Sequence, residues 1–588
     1  MLCKKRSVLI SIGIALVMVA ILVTGLLTYR DYGYTCDENL ERITSTYNYQ
    51  YLAKLISGRE IHRIESGELH SYFDRYYGVI FQLPMVLMED LFGFELSLSD
   101  TFFMRHLMTF LFCFIGWVCF YFFLKRVFHH RGLALLGMLM VCLYPRFWGE
   151  QFNNVKDMIF TASVCECLLC GSLLLSHDGE YRYEFLFAFV CAMCVCTRVI
   201  GLMIPLIFFG YRVLRDLCLE KGLSEEYRQS AQNEALWQRL LRYCLGLVLL
   251  LCFYIIVYPV CWEEPLKTLK EAFVFFSSYW DWSGPVMFLG HMEDGYHLPW
   301  YYIPVWLGLS LPLWYLALLG GGIISGGVTA VKQTAKGRVR QYLLGERRWA
   351  LLSFILAFAP VAVMVFTPLT LYNGWRHMFY ILPELVVIML FALRGLWRGI
   401  SRLKKPGLIR GLRGACALLC VGMLGYQVGW IIRWHPMEKI YFNPIGKSIA
   451  EGMDRDWWYE SIYHQFEYIL DLDESDTVKV SCNLHTGDTY LYMLPEEMTD
   501  RIEMISEGDT DAEYIIETID SLTMRYFGSY YTCIHEMKVD GVPISRVYAR
   551  NDVIEERLDD ELFDEEYWDY NDFDDGLEHE DMGYELED

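Results

Sequence analysis

Apolar runs of helix-spanning length recur along this chain, and that recurrence constrains it more than any other feature. A helix needs roughly 20 predominantly apolar residues to cross a bilayer's hydrocarbon core. Such runs occupy residues 7–28, 101–124, 132–144, 158–175, 185–210, 241–258, 301–321, 350–366, 378–393 and 415–432. The run at 185–210 is interrupted at Thr197-Arg198 and has the length of a bent pair of short helices. We read about eleven spans from hydropathy. Backbone polar groups in hydrocarbon must find partners within the protein, so the fold class is mainly α, a polytopic membrane helical bundle. With 54% of its 588 residues hydrophobic, the chain is not a soluble domain of ordinary composition. The first run follows Lys4, Lys5 and Arg6. It is too long for a cleaved signal and lacks an A-x-A-like site, so it reads as a retained anchor.

Orientation follows the Lys/Arg bias of short loops. With the N-terminus in the cytoplasm, each basic loop falls on the same side. These loops carry Lys125, Arg126 and Arg131, then Arg182, then Arg212 through Arg242, Lys332 through Arg348, and Arg394 through Arg413. The opposite side receives Asp37-Glu38, the long loop to about residue 100, PRFWGEQFNNVKD (145–157), Thr197-Arg198, the loop 259–300, YNGWRH (372–377) and everything after residue 433. The unusual polar and aromatic residues therefore gather at the outer face, with the C-terminus outside. Residues 39–56 carry a helical pattern, and 76–92 form a short apolar run broken by Pro84, which reads as an interfacial or re-entrant helix.

The net charge of −23 belongs mostly to one end. Residues 551–588 hold 19 acids and a single base, Arg557, leaving the preceding 550 residues near −5. That end reads as an acidic disordered tail. Residues 433–550 read as a small extracytoplasmic α/β domain, with TVKVSCNL (477–484), DAEYIIETI (511–519) and VPISRVYAR (542–550) as its strands or short helices. Residues 1–432 form the membrane domain. The 19 cysteines lie mostly inside spans and act there as small apolar residues. Cys482 and Cys533 have the opportunity to pair, which their spacing does not decide.

Several blocks together resemble a family. The acidic pair of GYTCDENL (33–40), the outer loop of lying helices, and the later H-x-P-W-Y-Y (297–302) are similar to the GT-C class of integral-membrane glycosyltransferases. NNVKD (153–157), YNGWRH, and HPMEKIYFNP with DRDWW (435–458) resemble its protein O-mannosyltransferase and aminoarabinose-transferase branch, in a bacterial and archaeal subgroup. Val155 replaces that subgroup's proline, Asn373 its aspartate, and Asp456-Trp457-Trp458-Tyr459 its D-Y-W-G. The resemblance implies transfer of a glycosyl residue from a polyprenyl-phosphate sugar donor to a protein, lipid or glycan acceptor. The reaction belongs at the outer face of a bacterial plasma membrane, among membrane lipids and with no nucleic-acid partner. An oligosaccharide ligase remains open within the class.

The resemblance and position make Asp37 the expected base for the acceptor hydroxyl, with Glu38 orienting the acceptor or helping to hold a divalent cation. Lys156, Arg198, Arg376 and His377 are expected at the donor phosphate, because a departing phosphate needs fixed positive donors. An ionisable residue inside an apolar run, as Arg198 is, marks a functional candidate. His297, of the outer H-x-P-W-Y-Y block, joins them as a substrate-binding candidate. His291, Glu293 and Asp294 form with it a ligand-like cluster for Mg²⁺ or Mn²⁺, or for zinc through the histidines. Trp280, Trp282 and Trp300 are candidates for stacking on sugar rings or for anchoring at the interface. Two other classes compete. A transporter or flippase of lipid-linked saccharide more often shows internal repeats, and none is clear here. A non-catalytic envelope assembly protein predicts that Asp37→Asn is silent.

Overall fold

The computed structural model describes residues 2–61, 67–92, 96–219, 236–277, 284–338, 344–366, 370–483, 487–519 and 530–557. The acidic segment from 558 onward, Trp280 and Trp282 lie outside these residues. The apolar runs become helices, as hydrocarbon demands. In chain order, α1 is Leu2–Thr28, α2 Cys36–Ser57, α3 Leu83–Leu91, α4 Leu98–Phe128, α5 Arg131–Cys142, α6 Pro145–Asn153, α7 Asp157–Ser176, α8 Tyr181–Thr197 and α9 Met203–Leu219. There follow α10 Leu236–Val257, α11 Pro265–Ser277, α12 Tyr302–Ser310, α13 Leu313–Ala335, α14 Arg348–Phe366, α15 Leu382–Ile400 and α16 Pro406–Trp434.

Among the described residues, eight helices are long and apolar enough to cross a membrane, or up to nine if α5 and α6, bent by 65°, form one span. The expected count of about eleven is higher for a local reason. The 185–210 run divides at Arg198, whose extended backbone (φ −146°) separates α8 from α9. Each of those two helices has only 17 residues. The 301–321 run also divides, at Leu311-Pro312, into α12 and α13.

The centre of the bundle is α7, 83% buried along its apolar stretch, with α15 beside it. Gly116 lets α4 approach α7: a Cβ there would sit 2.5 Å from that of Ala162. Helices α1, α13 and α16 lie outermost and expose leucines and valines such as Leu27, Val331 and Leu418, as lipid-facing helices do. Arg212, Arg215 and Arg242 of the basic loop pair with buried and half-buried acids. Arg212 and Arg242 both donate to Asp178, at 2.8 and 2.9 Å, and Arg215 donates to Asp216 at 2.8 Å; the three arginines and Asp216 are well buried, Asp178 less so.

After α1 the chain turns back over the bundle. Glu38 caps α2: its Oε2 accepts the Thr35 backbone N–H at 3.0 Å and the Thr35 hydroxyl at 3.2 Å. Gly58, at φ 68°, closes the helix in a left-handed turn. Arg42 and the buried Arg105 both donate to Glu89, tying α2 to α3 and α4. The expected lying helices of the first outer loop are therefore α2 and α3.

The C-terminal part carries a five-stranded sheet. Its strands are β3 Val478–Cys482, β4 Ile502–Ile505, β5 Tyr514–Thr518, β6 Tyr531–Val539 and β7 Val542–Arg550, in the order β4-β3-β5-β7-β6. Strands β1 Pro285–Phe288 and β2 His291–Asp294 form a separate hairpin. The three segments assigned to this domain from sequence all contribute strands. Residues Asn551–Arg557, assigned to the tail, instead form a short helix, α19 (α17 being Ser461–Leu472 and α18 Glu496–Thr499). Cys482 and Cys533 are both free thiols. Two strands separate β3 from β6, which places these residues roughly 14 Å apart across the sheet, beyond disulfide reach. Tyr34 of the first outer loop inserts into this domain's core against Phe102, Tyr490 and Tyr492.

Candidate active site

Four distant segments meet at the first residue of α7. The tight loop 372–377 uses left-handed conformations at Asn373 (φ 56°) and Gly374 (φ 69°) to direct Arg376 inward. The Arg376 Nη1 donates to Asp37 Oδ2 at 2.5 Å and to Asp157 Oδ2 at 3.4 Å. Its guanidinium lies over the rings of Tyr372 and Trp458, at 4.9 and 5.0 Å. Arg198, freed from helical geometry by the α8–α9 break, forms an ion pair with Asp157. Lys156 reaches Glu41 at 2.6 Å and lies 3.5 Å from the Tyr77 ring centroid. Asn154 fixes the turn, its Oδ1 accepting the Asp157 backbone N–H at 2.8 Å.

The result is a nest of two shared carboxylates and three cations with an open side. The side chains of Arg376 and Asp157 are 2% exposed, that of Asp37 22%. Burial pushes the Asp37 carboxyl upward, but the Arg376 guanidinium, with help from Lys156 and Arg198, outweighs it and holds the group below the usual carboxylate range. Asp37 is thus anionic at neutral pH and shares the accessible side of the cluster with Arg198 and Lys156, whose side chains are 20% and 16% exposed, while Arg376 and Asp157 lie beneath.

The remaining candidates divide. His377 is half-buried beside Arg376, edge-on to Tyr372 at 4.7 Å, and its buried Nδ1 has no hydrogen-bond partner. Glu38 does not join Asp37. Its second oxygen meets His106 Nε2 at 2.9 Å, both side chains being fully buried, so the carboxyl caps a helix and faces away from the nest. A helix places adjacent residues about 100° apart, which is why neighbours in sequence diverge here. His297 lies on the surface, 72% exposed, paired with Asp294 at 2.7 Å. His291, Glu293 and Asp294 are on β2, where alternation sends Asp294 to the face opposite the other two. Among the described residues no group of three His, Cys, Asp or Glu is arranged to hold a metal. The expected ligand cluster is therefore a hairpin edge, and the two carboxylates of the nest are engaged by guanidinium groups. A divalent cation does not fit the donors as they stand.

Several residues of the site escaped the sequence reading. Asp157 and Glu41 were masked by their surroundings: an Asp beside a Lys reads as an exposed ion pair. Trp458 is held over Arg376 from below by Lys439, which is buried and pairs with Asp456 at 2.8 Å and Glu460 at 2.7 Å. Burial of Asp456 works against its charge, but Lys439 holds the carboxyl below its usual range. Arg146 is fully buried in an aromatic box of Trp306, Phe442 and Trp457, with its ring distances between 4.9 and 5.4 Å. Its Nε donates to Tyr441 O at 2.8 Å. The only prior signal for these was the motif blocks in which they stand.

No protein-family model matches the chain, and no curated protein matches it. Among solved structures, ArnT from Cupriavidus metallidurans in the apo state is similar at 13% identity and a TM-score of 0.43, over 91% of this chain and 98% of that one. The same enzyme bound to undecaprenyl phosphate is similar at 13% identity and a TM-score of 0.41, with the same coverage. The oligosaccharyltransferase of Archaeoglobus fulgidus in the apo form is similar at 11% identity and a TM-score of 0.44, over 85% of this chain and 69% of that one. The functional reading rests on the side chains of this chain.

Proposed function

We propose that this integral membrane protein is a glycosyltransferase. It moves a sugar from a polyprenyl-phosphate donor to a hydroxyl-bearing protein, lipid or glycan acceptor at the extracytoplasmic face of a bacterial plasma membrane. The observation that carries the reading is the convergence of Asp37, Asp157, Arg376, Arg198 and Lys156 at one end of α7, with Asp37 on the open side. The resemblance of the sequence blocks to the GT-C class supplies the donor chemistry.

Asp37 Oδ1 or Oδ2 takes the acceptor proton as the acceptor oxygen attacks the anomeric carbon. The bond from that carbon to the phosphate oxygen breaks, and its electron pair leaves on the phosphate. Arg376 and Arg198 stabilise the charge that develops there. A low carboxylate pKa is poor for a base. The donor phosphate corrects this by competing for Arg376, which frees Asp37 and raises its basicity when substrate is bound. Asp157 keeps Arg376 and Arg198 in place. Trp458 and Tyr372 fix the plane of the Arg376 guanidinium.

The test is transfer from radiolabelled polyprenyl-phosphate sugars by purified protein, starting with undecaprenyl-phosphate donors. Wild type is expected to release lipid phosphate and to label acceptor. Asp37→Asn is expected to bind donor yet lose turnover. Full turnover in Asp37→Asn, with the fold intact, defeats the proposal.

A further inference from the structure

At the end of α7 remote from the site there is a cavity of about 760 Å³ between the ends of α4, α7 and α14. The 20 residues of α7 separate the two ends by about 30 Å. The cavity thus lies at the membrane surface opposite Asp37. Its cations are Lys125, Arg126 and Arg348, with the His129 ring beside them. Arg126 donates to Ser172 Oγ at 3.0 Å, and Lys125 stands 5.6 Å over the Phe122 ring. The Arg348 Nε is buried without a hydrogen-bond partner. Among the described residues, no carboxylate pairs with Lys125, Arg126 or Arg348. The single acid of the lining, Glu346, is taken by Arg394 at 2.7 Å from outside the cavity. The rest of the wall is apolar, with Leu169, Leu173 and Trp349. Phe122, 44% exposed, carries that wall to the outer surface of the bundle.

Cations gathered without a counter-charge repel one another, and a protein keeps such a group where an anion neutralises it. Basic pockets between membrane helices at the surface suit the headgroups of anionic lipids. A free phosphate explains the cations but leaves the apolar wall without a role. An acyl chain emerging along Phe122 uses both.

We infer that this cavity binds the phosphodiester headgroup of an anionic glycerophospholipid from the leaflet opposite the proposed catalytic site. The phosphate sits among Lys125, Arg126 and Arg348, and an acyl chain runs along Phe122 and Leu173.

Native mass spectrometry of the full-length protein, titrated with phosphatidylglycerol or with phosphatidylcholine of the same chains, tests this. Wild type is expected to bind phosphatidylglycerol at least about tenfold more tightly. The double variant Lys125→Gln/Arg348→Gln is expected to lose that preference. Lys404→Gln/Lys405→Gln, which removes two exposed charges elsewhere, is expected to keep it. Millimolar inorganic phosphate is expected to leave the lipid bound. Equal binding of the two lipids by wild type overturns the inference without any variant. So does an unchanged preference in the Lys125/Arg348 variant, or displacement by inorganic phosphate, which assigns the cavity to a free anion.

Discussion

At the scale of the residue, position relative to one guanidinium sorts the candidates. Asp37 and Glu38 are neighbours with the same chemistry, yet one faces Arg376 and the other caps a helix. Their variants should therefore fail differently. Asp37→Asn is expected to lower kcat by about 10²–10⁴-fold, the range for a lost general base, with little change in melting temperature. Glu38→Ala is expected to lower stability by about 1–3 kcal/mol, seen as an earlier thermal transition, because it removes a cap and leaves the buried His106 Nε2 without its carboxylate partner, only Nδ1 keeping the Tyr29 carbonyl. The Asp37 carboxyl is held below its unfolded value, so its contribution to stability is present above about pH 4 and is lost as pH falls through the folded value. His435 has the opposite sign. Burial lowers its pKa, but pairing with Glu438 at 2.8 Å and Asp31 at 2.9 Å prevails and raises it to about 9. Its contribution is fully present below about pH 6.5 and is lost as pH rises toward 9. Melting curves of wild type and His435→Gln should differ at pH 6, by up to about 3 kcal/mol, and converge above pH 9.

At the scale of the element, the breaks matter more than the helices. Arg198 reaches Asp157 because α8 stops at Thr197, and Arg376 turns inward because residues 373 and 374 adopt left-handed geometry. Gly374 is packed as well as bent: a Cβ there would lie 3.3 Å from the Trp457 ring. Gly374→Ala is expected to cost at least about 1 kcal/mol of stability and to reduce activity further than stability explains, since it shifts Arg376. Activity lost only in proportion to folded protein would show that the loop does not position the guanidinium. Hydrophobic runs marked where the eight long apolar helices fall among the described residues, because hydrocarbon length is a one-dimensional requirement, but they overcounted where a run breaks into shorter helices. The breaks were legible only at Thr197-Arg198 and Pro84, where a charge or a proline interrupts the run.

At the scale of the whole molecule, the C-terminal sheet domain is joined to the helical bundle through the loop that carries Asp37. Tyr34, three residues before Asp37, is 2% exposed within the core of the C-terminal sheet domain, and Tyr490 donates to Trp458 O at 2.7 Å. Tyr34→Ala removes a large buried ring and is expected to cost about 3–5 kcal/mol of this attachment. Hydrogen exchange should then rise together in α2 and in the segment Gly487–Met493. A rise in neither would mean the two parts do not depend on this contact. Because Cys482 and Cys533 lie two strands apart, reductant is expected to leave the melting temperature unchanged.

The chain alone determined its solvent: repeated apolar runs admit a helical membrane fold and little else, since backbone groups in hydrocarbon need internal partners. It also marked the loops that carry unusual polar and aromatic residues, and it read the C-terminal segment as strands or short helices of an α/β unit. Tertiary structure decided which of those residues meet. Ion pairs between residues 37, 157, 198 and 376 join positions up to 339 apart in sequence, a separation that no period or spacing encodes. It also dispersed the apparent ligand cluster of His291, Glu293, Asp294 and His297, because proximity along a strand or an exposed turn is not convergence of side chains in space.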